Sequence, residues 1–212
     1  MCSYDGTVTR IDTTSLAIDG VTSVGRNPDG ICVQNEKLYV SNSGGLDYAS
    51  GLGVDNTVSV VDIATFKEIN KITVGPNPGK IVAGTDGTTV YVATRGEDVE
   101  AGNYNFAKID CLTNGVTHYN EKVQNFAIDG EIAYLYNYNY STQTSSIKTF
   151  NLKTGKTVRE NFITDGTNIN TPYGINVNPY SGNVYITNAY DYTIYGDLLC
   201  FNQQGRTAIP PE

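Results

Sequence analysis

Tryptophan is absent from the 212 residues, and histidine and methionine occur once each. With His118 as the single histidine, neither a Ser-His-Asp triad nor a histidine-based zinc site is predicted. The four cysteines show no C-x-x-C spacing, so they are expected to be free thiols that pack as small apolar residues. Long apolar runs are also missing, which argues against a membrane-spanning helix, and the first residues contain no apolar segment typical of a secretion signal.

Charge is scarce and mostly negative. Charged residues make up 17% of the chain, with 22 acidic and 14 basic residues and a formal net charge of -8. This balance argues against a nucleic-acid partner, because phosphate binding requires a basic surface. The low charged fraction also argues against a highly charged disordered chain. Glycine and tyrosine are abundant, at 22 and 16 residues, and together with many Val, Ile and Thr residues they indicate a β-rich protein.

The chain contains an internal repeat. A Tyr-Val-Ser-Asn segment at 39–42 recurs in related form as Tyr91-Val-Ala-Thr, Tyr134-Leu-Tyr-Asn and Tyr185-Ile-Thr-Asn. A second, β-branched element ends in an acidic or amide residue, at Asp12, Asp62, Asp110, Asn151 and Asn202, so that successive copies lie 50, 48, 41 and 51 residues apart. This period is close to that of a β-propeller blade. The repeated Asp and Asn residues are interpreted as structural, accepting hydrogen bonds from turn amides.

Each repeat is predicted to form four short strands separated by Gly, Asn, Asp and Pro turns. In the first complete repeat the predicted strands are 29–34, 37–42, 57–62 and 69–74. The predicted fold class is therefore all-β, a β-propeller of four-stranded antiparallel blades with about four blades in this chain. The predicted organisation is a single partial propeller over 1–212, with complete blades at 27–74, 75–123 and 124–163 and incomplete blades at 1–26 and 164–212.

Two interpretations of the incomplete blades remain open. In the first, the apolar end strands Thr7–Ile11 and Leu198–Phe201 lack neighbours, which predicts low solubility, self-association or trimming. In the second, a strand near Val21 to Val24 completes the last blade and closes a five-bladed ring.

The repeat elements resemble those of YVTN-type propellers. The segment from Tyr173 to Tyr192 resembles the last blades of surface-exposed propeller lipoproteins of gut Bacteroidetes, a family that includes vitamin B12-capturing proteins. This resemblance implies a seven-bladed ring and an outer-membrane, cell-surface location by a lipid anchor outside this chain. It further implies nutrient uptake beside a TonB-dependent outer-membrane transporter, with cobalamin as a ligand rather than a cofactor and no other cofactor.

The predicted loops between second and third strands are long and rich in tyrosine, Gly, Asn and Ser, a composition that suits ligand recognition. Propeller geometry places them on one face with the connections between blades. The candidate ligand-binding residues on the long loops are Tyr48, Arg95, Tyr104, Tyr138, Tyr140, Asn188, Tyr190, Asp191 and Tyr192. Those on the connections are Asp29, Lys80, Phe126 and Tyr173. The alternative is that these loops simply pack on themselves.

The sequence favours a binding protein over an enzyme. No spacing selects a pair of carboxylates for glycoside hydrolysis, and the acidic run at 97–100 is better interpreted as a solvated loop than as a calcium site. No catalytic residue and no metal ligand is predicted. Two alternatives stay open: a lactonase-like propeller hydrolase, and a structural protein-interaction propeller of the cell envelope.

Overall fold

The structure, a computed structural model, describes residues 2–3, 5–45, 51–97, 103–139 and 141–208. Within these residues the chain forms 18 β-strands in five antiparallel sheets and no helix. None of the described residues belongs to a helix able to cross a membrane. The chain forms two compact units, residues 1–122 and 123–212.

The first unit contains three sheets. Sheet 1 consists of β1 (Cys2–Ser3), β2 (Thr7–Ile11) and β3 (Ile18–Ser23). Sheet 2 consists of β4 (Pro28–Gln34), β5 (Lys37–Asn42), β6 (Thr57–Asp62) and β7 (Lys67–Thr73). Sheet 3 consists of β8 (Pro78–Ala83), β9 (Thr89–Thr94), β10 (Asn105–Asp110) and β11 (Val116–Tyr119).

The second unit contains two sheets. Sheet 4 consists of β12 (Asn125–Asp129), β13 (Ile132–Asn139), β14 (Thr144–Asn151) and β15 (Lys156–Arg159). Sheet 5 consists of β16 (Pro172–Val177), β17 (Val184–Asn188) and β18 (Asp197–Phe201). In every sheet the strands follow one another in chain order, each pairing antiparallel with the next.

Sheets 2, 3 and 4 have four strands each, and sheets 1 and 5 have three. These consecutive antiparallel sheets confirm the predicted fold class, an all-β protein built of β-propeller blades. The structure adds a strand that the sequence did not indicate, β1, in which Cys2 pairs with Val8. The strand that the sequence predicts near Val21 to Val24 corresponds to β3 (Ile18–Ser23). The strand β3 pairs with β2 through Val8–Thr22 and Thr9–Val21, and so is the outer strand of sheet 1.

The cores lie between neighbouring sheets of a unit. Sheets 2 and 3 share a cluster that includes Tyr39, Val60, Val92 and Ile109, all at most 1% exposed. Sheets 1 and 2 share a smaller cluster around Val8 and Val40, and in the second unit sheets 4 and 5 enclose one that includes Tyr134, Phe162 and Ile186. Burial on both faces of a sheet explains why β9 is buried at all six positions rather than alternating.

Cys32, Cys111 and Cys200 are free thiols. Cys111 and Cys200 are buried, and Cys32 is half-buried against the core shared by sheets 2 and 3. Burial, with the nearby Cys111 thiol, raises the pKa of Cys32 to about 12, so its reactive thiolate is scarce at neutral pH. The expectation of buried, free thiols is confirmed for Cys111 and Cys200.

The repeated Asp and Asn residues close the turns after the third strand of each repeat. Asp62 Oδ1 accepts the Thr65 amide at 2.7 Å, and Asn151 Oδ1 accepts the Thr154 amide at 2.7 Å. Asp12, Asp110 and Asn202 accept turn amides in the same way. The structural interpretation of these residues is therefore confirmed.

The asparagine that ends the repeated Tyr-x-x-Asn strand holds the connection between sheets with its side-chain amide. Asn42 is fully buried, accepts the Gly25 amide at 3.1 Å and donates to the Ser59 hydroxyl at 2.9 Å. In the second unit Asn188, 1% exposed, accepts the Thr171 amide at 3.0 Å. Each buried side chain accepts a hydrogen bond from a backbone N–H of the connection that precedes the sheet's first strand.

A carboxylate holds the segment that follows β18. Asp165 Oδ2 accepts the Thr207 amide at 2.6 Å and also the Thr207 hydroxyl, while its Oδ1 accepts the Thr167 amide at 3.0 Å. Thr207 forms a single antiparallel bridge with Phe201, and residues 202–208 form no further strand. The bonds from Thr207 and Thr167 hold the pKa of Asp165 well below its ordinary value.

We expect the stability that this contact provides to depend on pH. A carboxylate whose pKa is lowered by folding stabilises the folded state fully above its unfolded pKa, and the contribution is lost as the pH falls through the folded pKa. The free energy of unfolding of the wild type should therefore exceed that of Asp165→Asn at neutral pH, and the difference should shrink as the pH falls below about 4. Urea unfolding of both proteins over this pH range measures it. A difference that stays constant with pH would contradict the role of the ionised carboxylate.

Candidate ligand-binding site

A cleft of about 720 Å³ opens in the second unit, a volume typical of small-molecule sites. Three segments form it: the hairpin between β13 and β14, the connection between β15 and β16, and the loop between β17 and β18. The lining residues are Tyr138, Gln143, Thr144, Ser145, Asn168, Ile169, Asn170, Thr171, Tyr190, Asp191, Tyr192 and Ile194. We refer to it below as the tyrosine cleft.

The hairpin wall of the cleft exists because β13 and β14 are long. Each has eight residues, whereas the corresponding second and third strands of sheets 2 and 3 have six. Asn139 Oδ1 accepts the Ser141 and Thr142 amides at 3.0 and 3.1 Å and shapes the turn. The Ser145 hydroxyl donates to the Ile169 carbonyl at 2.7 Å and so joins the hairpin to the connection.

The loop wall of the cleft is held by its own side chains. Asp191 Oδ1 accepts the Thr193 amide at 3.0 Å, and this bond holds the pKa of Asp191 below its ordinary value. The Tyr190 hydroxyl donates to the Asp197 carboxylate, which raises the pKa of Tyr190 because the neutral phenol is the donor. The Thr171 hydroxyl donates to the Tyr190 carbonyl and so joins this loop to the connection between β15 and β16.

Two tyrosines of this loop adopt left-handed backbone conformations. Tyr190 has a φ of 50° and Tyr192 a φ of 65°, values that non-glycine residues rarely take. Such conformations cost of order 1–3 kcal/mol and persist where the surroundings fix them, often at ligand sites. Here the surrounding hydrogen bonds fix a conformation that brings both tyrosines to the cleft.

The rim of the cleft presents aromatic surface. Tyr192 is 63% exposed, and its ring meets that of Tyr173, 67% exposed, edge to face at 6.3 Å between centroids. Ile194 and Tyr195 continue the rim with exposures of 62% and 98%. Exposed aromatic and aliphatic side chains grouped in this way are typical of binding surfaces.

The second unit brings together five of the residues that the sequence analysis selected: Tyr138, Tyr173, Tyr190, Asp191 and Tyr192. Two other selections are corrected by burial. Phe126 is fully buried, and Asn188 is buried and uses its amide oxygen to hold Thr171, so neither presents a surface to a ligand. Tyr140 lies outside the described residues.

The first unit gathers fewer of the selected residues. Arg95 forms an ion pair with Asp29 at 2.6 Å, so these two side chains neutralise each other. Lys80 is exposed. Tyr104 is 6% exposed, which corrects its assignment to a ligand surface. Tyr48 lies outside the described residues.

The sequence analysis missed the polar floor of the tyrosine cleft, residues 168–171. These residues belong to the connection between β15 and β16, which spans 12 residues, compared with 4 between β7 and β8 and 5 between β11 and β12. That unusual length is a signal the sequence did contain. The contact with the β13–β14 hairpin, however, depends on tertiary packing.

No known protein-family model matches the chain, and no curated protein is similar to it. Among solved structures the chain is similar to Kuenenia stuttgartiensis hydrazine synthase, with a TM-score of 0.71 and 20% sequence identity. The similarity covers 93% of this chain and 57% of the other, so the chain spans little more than half of that protein's length. At this identity the likeness shows the propeller-like fold alone.

Proposed function

We propose that this chain is a non-enzymatic β-propeller domain that binds a bulky, amphipathic ligand in the tyrosine cleft. The observation that carries the proposal is the convergence of Tyr138, Tyr190 and Tyr192 with exposed amide and hydroxyl side chains on one cleft. Tyrosine provides a large, rigid contact surface at low entropic cost, and Asn and Ser supply adaptable hydrogen bonds. This combination is typical of recognition surfaces.

The titratable groups of the cleft support binding rather than hydrolysis. Glycoside hydrolysis requires two carboxyl groups, one of them an acid with a raised pKa. Asp191 is the one carboxylate among the described lining residues, its pKa is lowered, and one of its oxygens accepts the Thr193 amide. The described lining residues therefore offer no pair of acid and base.

The wider role rests on the resemblance to surface propeller lipoproteins. It leads us to propose a cell-surface protein, anchored by lipid in the outer membrane, that captures a nutrient such as a corrinoid for a TonB-dependent transporter. A corrinoid would place a broad, partly apolar ring against tyrosines and polar groups against Asn168 and Asn170. The exposed rim at Ile194 and Tyr195 offers a surface for the transporter partner.

Replacing Tyr138 and Tyr192 together by alanine is expected to weaken ligand binding about tenfold or more. Truncation of a central aromatic contact can cost about 2 kcal/mol or more in binding, while partly exposed side chains at the edge of a cleft contribute little to stability. Cobalamin binding to the full chain, followed by calorimetry and by its visible absorbance, measures the first effect. The melting temperature should stay within a few degrees of the wild type.

Tyr180→Ala is the matched control. Tyr180 is 97% exposed, lies in the turn between β16 and β17 and is not among the lining residues of the cleft. This variant should bind like the wild type. An equal loss of stability and binding in the double variant would mean that the two tyrosines are packing residues, and would contradict the proposed site.

A further inference from the structure

We propose that the tyrosine cleft binds a neutral carbohydrate chain in place of a corrinoid. This inference rests on the proposed binding function of the cleft and names a different chemical class of ligand for it. The cleft lining combines aromatic faces, neutral hydrogen-bonding groups and very little charge. The charge of the lining argues against an anionic ligand, and its neutral hydrogen-bonding groups argue against an organic cation.

The charge of the lining argues against an anionic ligand. Among the described lining residues there is no lysine or arginine, and Asp191 contributes a negative charge. The chain as a whole carries a net charge of -8. Phosphates and carboxylates are normally held by Arg, Lys or clusters of backbone amides, so they would meet repulsion here.

The hydrogen-bonding groups of the lining match hydroxyl groups. Gln143, Asn168 and Asn170 are exposed amides, and Thr144 is an exposed hydroxyl. Each of these side chains can both donate and accept. A sugar hydroxyl also donates and accepts, so successive hydroxyls can pair with such a lining without leaving a polar group unmatched.

The aromatic groups of the lining match the apolar face of a sugar ring. The Tyr192 ring is largely exposed, and the edge contact with Tyr173 holds its orientation. Tyr138 and Tyr190 add half-buried ring surface on two other sides of the cleft. The electron-rich face of a tyrosine attracts polarised C–H groups, which pyranose rings present on their apolar face.

A second cavity suggests a ligand longer than one ring. It has a volume of about 410 Å³ and shares Ser145, Asn168 and Ile169 with the tyrosine cleft. Its lining also includes polar side chains, among them Asn161 and Thr167. Because the two cavities are adjacent and both contain polar side chains, a ligand with repeating polar units could occupy both.

An organic cation is the main competing ligand, because tyrosine faces and Asp191 both attract positive charge. Asn168 Nδ2 donates to Asn170 Oδ1 at 3.0 Å. An organic cation without hydroxyl groups would, however, leave the remaining donors and acceptors of these two amides and of Gln143 unmatched by the ligand, at a cost in affinity. The geometry therefore favours the carbohydrate.

The test uses the full chain and four probes: linear neutral oligosaccharides of glucose, mannose, xylose or N-acetylglucosamine, an oligogalacturonate, choline and cobalamin. Saturation-transfer NMR and calorimetry should show saturable binding of at least one neutral oligosaccharide. Tyr192→Ala and Asn168→Ala should each weaken it about fivefold or more, since lost hot-spot contacts cost over about 1 kcal/mol. Tyr180→Ala should leave it unchanged.

The outcomes separate this inference from the proposed function. Binding of only oligogalacturonate, choline or cobalamin, weakened by Tyr192→Ala, would overturn the carbohydrate assignment and leave the cleft as the binding site. If an oligosaccharide binds and neither Tyr192→Ala nor Asn168→Ala weakens its binding, the assignment to this cleft is overturned. Binding of no probe would count against both proposals.

Discussion

Replacing Phe162 by alanine is expected to destabilise the second unit by about 3–5 kcal/mol, the range found for buried phenylalanines. Phe162 is fully buried in the cluster that sheets 4 and 5 enclose. Its ring meets those of Tyr134 and Phe201 edge to face, at 4.9 and 6.0 Å between centroids. Removing it leaves a cavity between the two sheets and breaks both aromatic contacts.

Phe162→Leu is the control for this prediction. Leucine keeps most of the apolar volume, so its cost should stay well below that of alanine. Urea unfolding of the full chain, with hydrogen exchange followed in peptides from 123–208, measures both variants. Equal, small losses in the two variants would contradict a central packing role for the ring.

The same variant should affect ligand binding. The connection that contains Phe162 continues into residues 168–171, which line the tyrosine cleft. Because the buried ring anchors the start of this connection, Phe162→Ala should also lower ligand affinity, although Phe162 itself does not line the cleft. A loss of ligand affinity in this variant would show that Phe162 positions the residues that line the cleft, because its own side chain is not among them.

Much of the fold could be predicted from local sequence patterns. The strands β5 and β6 have the predicted bounds, and β4 and β7 differ from the prediction by at most two residues at either end. The repeat, the β-branched residues and the Asx turns are local signals that survive in any tertiary context. The two-residue strand β1 carries no such signal and was missed.

The candidate site was only partly predictable, for a physical reason. Tyr138, Tyr190 and Tyr192 were found because the sequence assigns them to long loops. The structure places Tyr138 near the end of β13 and the other two on the loop after β17, and it brings all three to one cleft. Phe126 was wrongly grouped with them because proximity to a loop in sequence does not reveal burial. The meeting of residues 168–171 with the β13–β14 hairpin depends on packing between sheets, which no local pattern encodes.

The observed fold does not extend to the function that the resemblance to surface propeller lipoproteins implies. The structural similarity to the hydrazine synthase supports the architecture at 20% identity. A propeller scaffold carries many unrelated functions on its loops, so the ligand is a prediction that the binding experiments with cobalamin and oligosaccharides test, and location and partner also stay predictions.

Replacing Gly205 by alanine is expected to cause the other large loss of stability. Gly205 has a φ of +78°, and an alanine Cβ at this position would overlap the carbonyl oxygen of Phe162. The Thr164 amide donates to the Gly205 carbonyl at 2.8 Å, so the two segments are already held in close contact. The substitution would force them apart and disturb the same core that Phe162 fills.

Gly166→Ala separates the two causes of this loss, because Gly166 has a similar φ of +82° but no atom within 4 Å of the added Cβ. It should cost only the left-handed strain, about 1–2 kcal/mol. Gly205→Ala should exceed it by about 1–3 kcal/mol, the cost typical of overpacking. Urea unfolding measures both, and hydrogen exchange at 202–208 should increase in Gly205→Ala alone. Equal losses of unfolding free energy in the two variants would show that the backbone around Phe162 moves away from the added Cβ at no energetic cost. That result would contradict a tight contact between Gly205 and the Phe162 carbonyl.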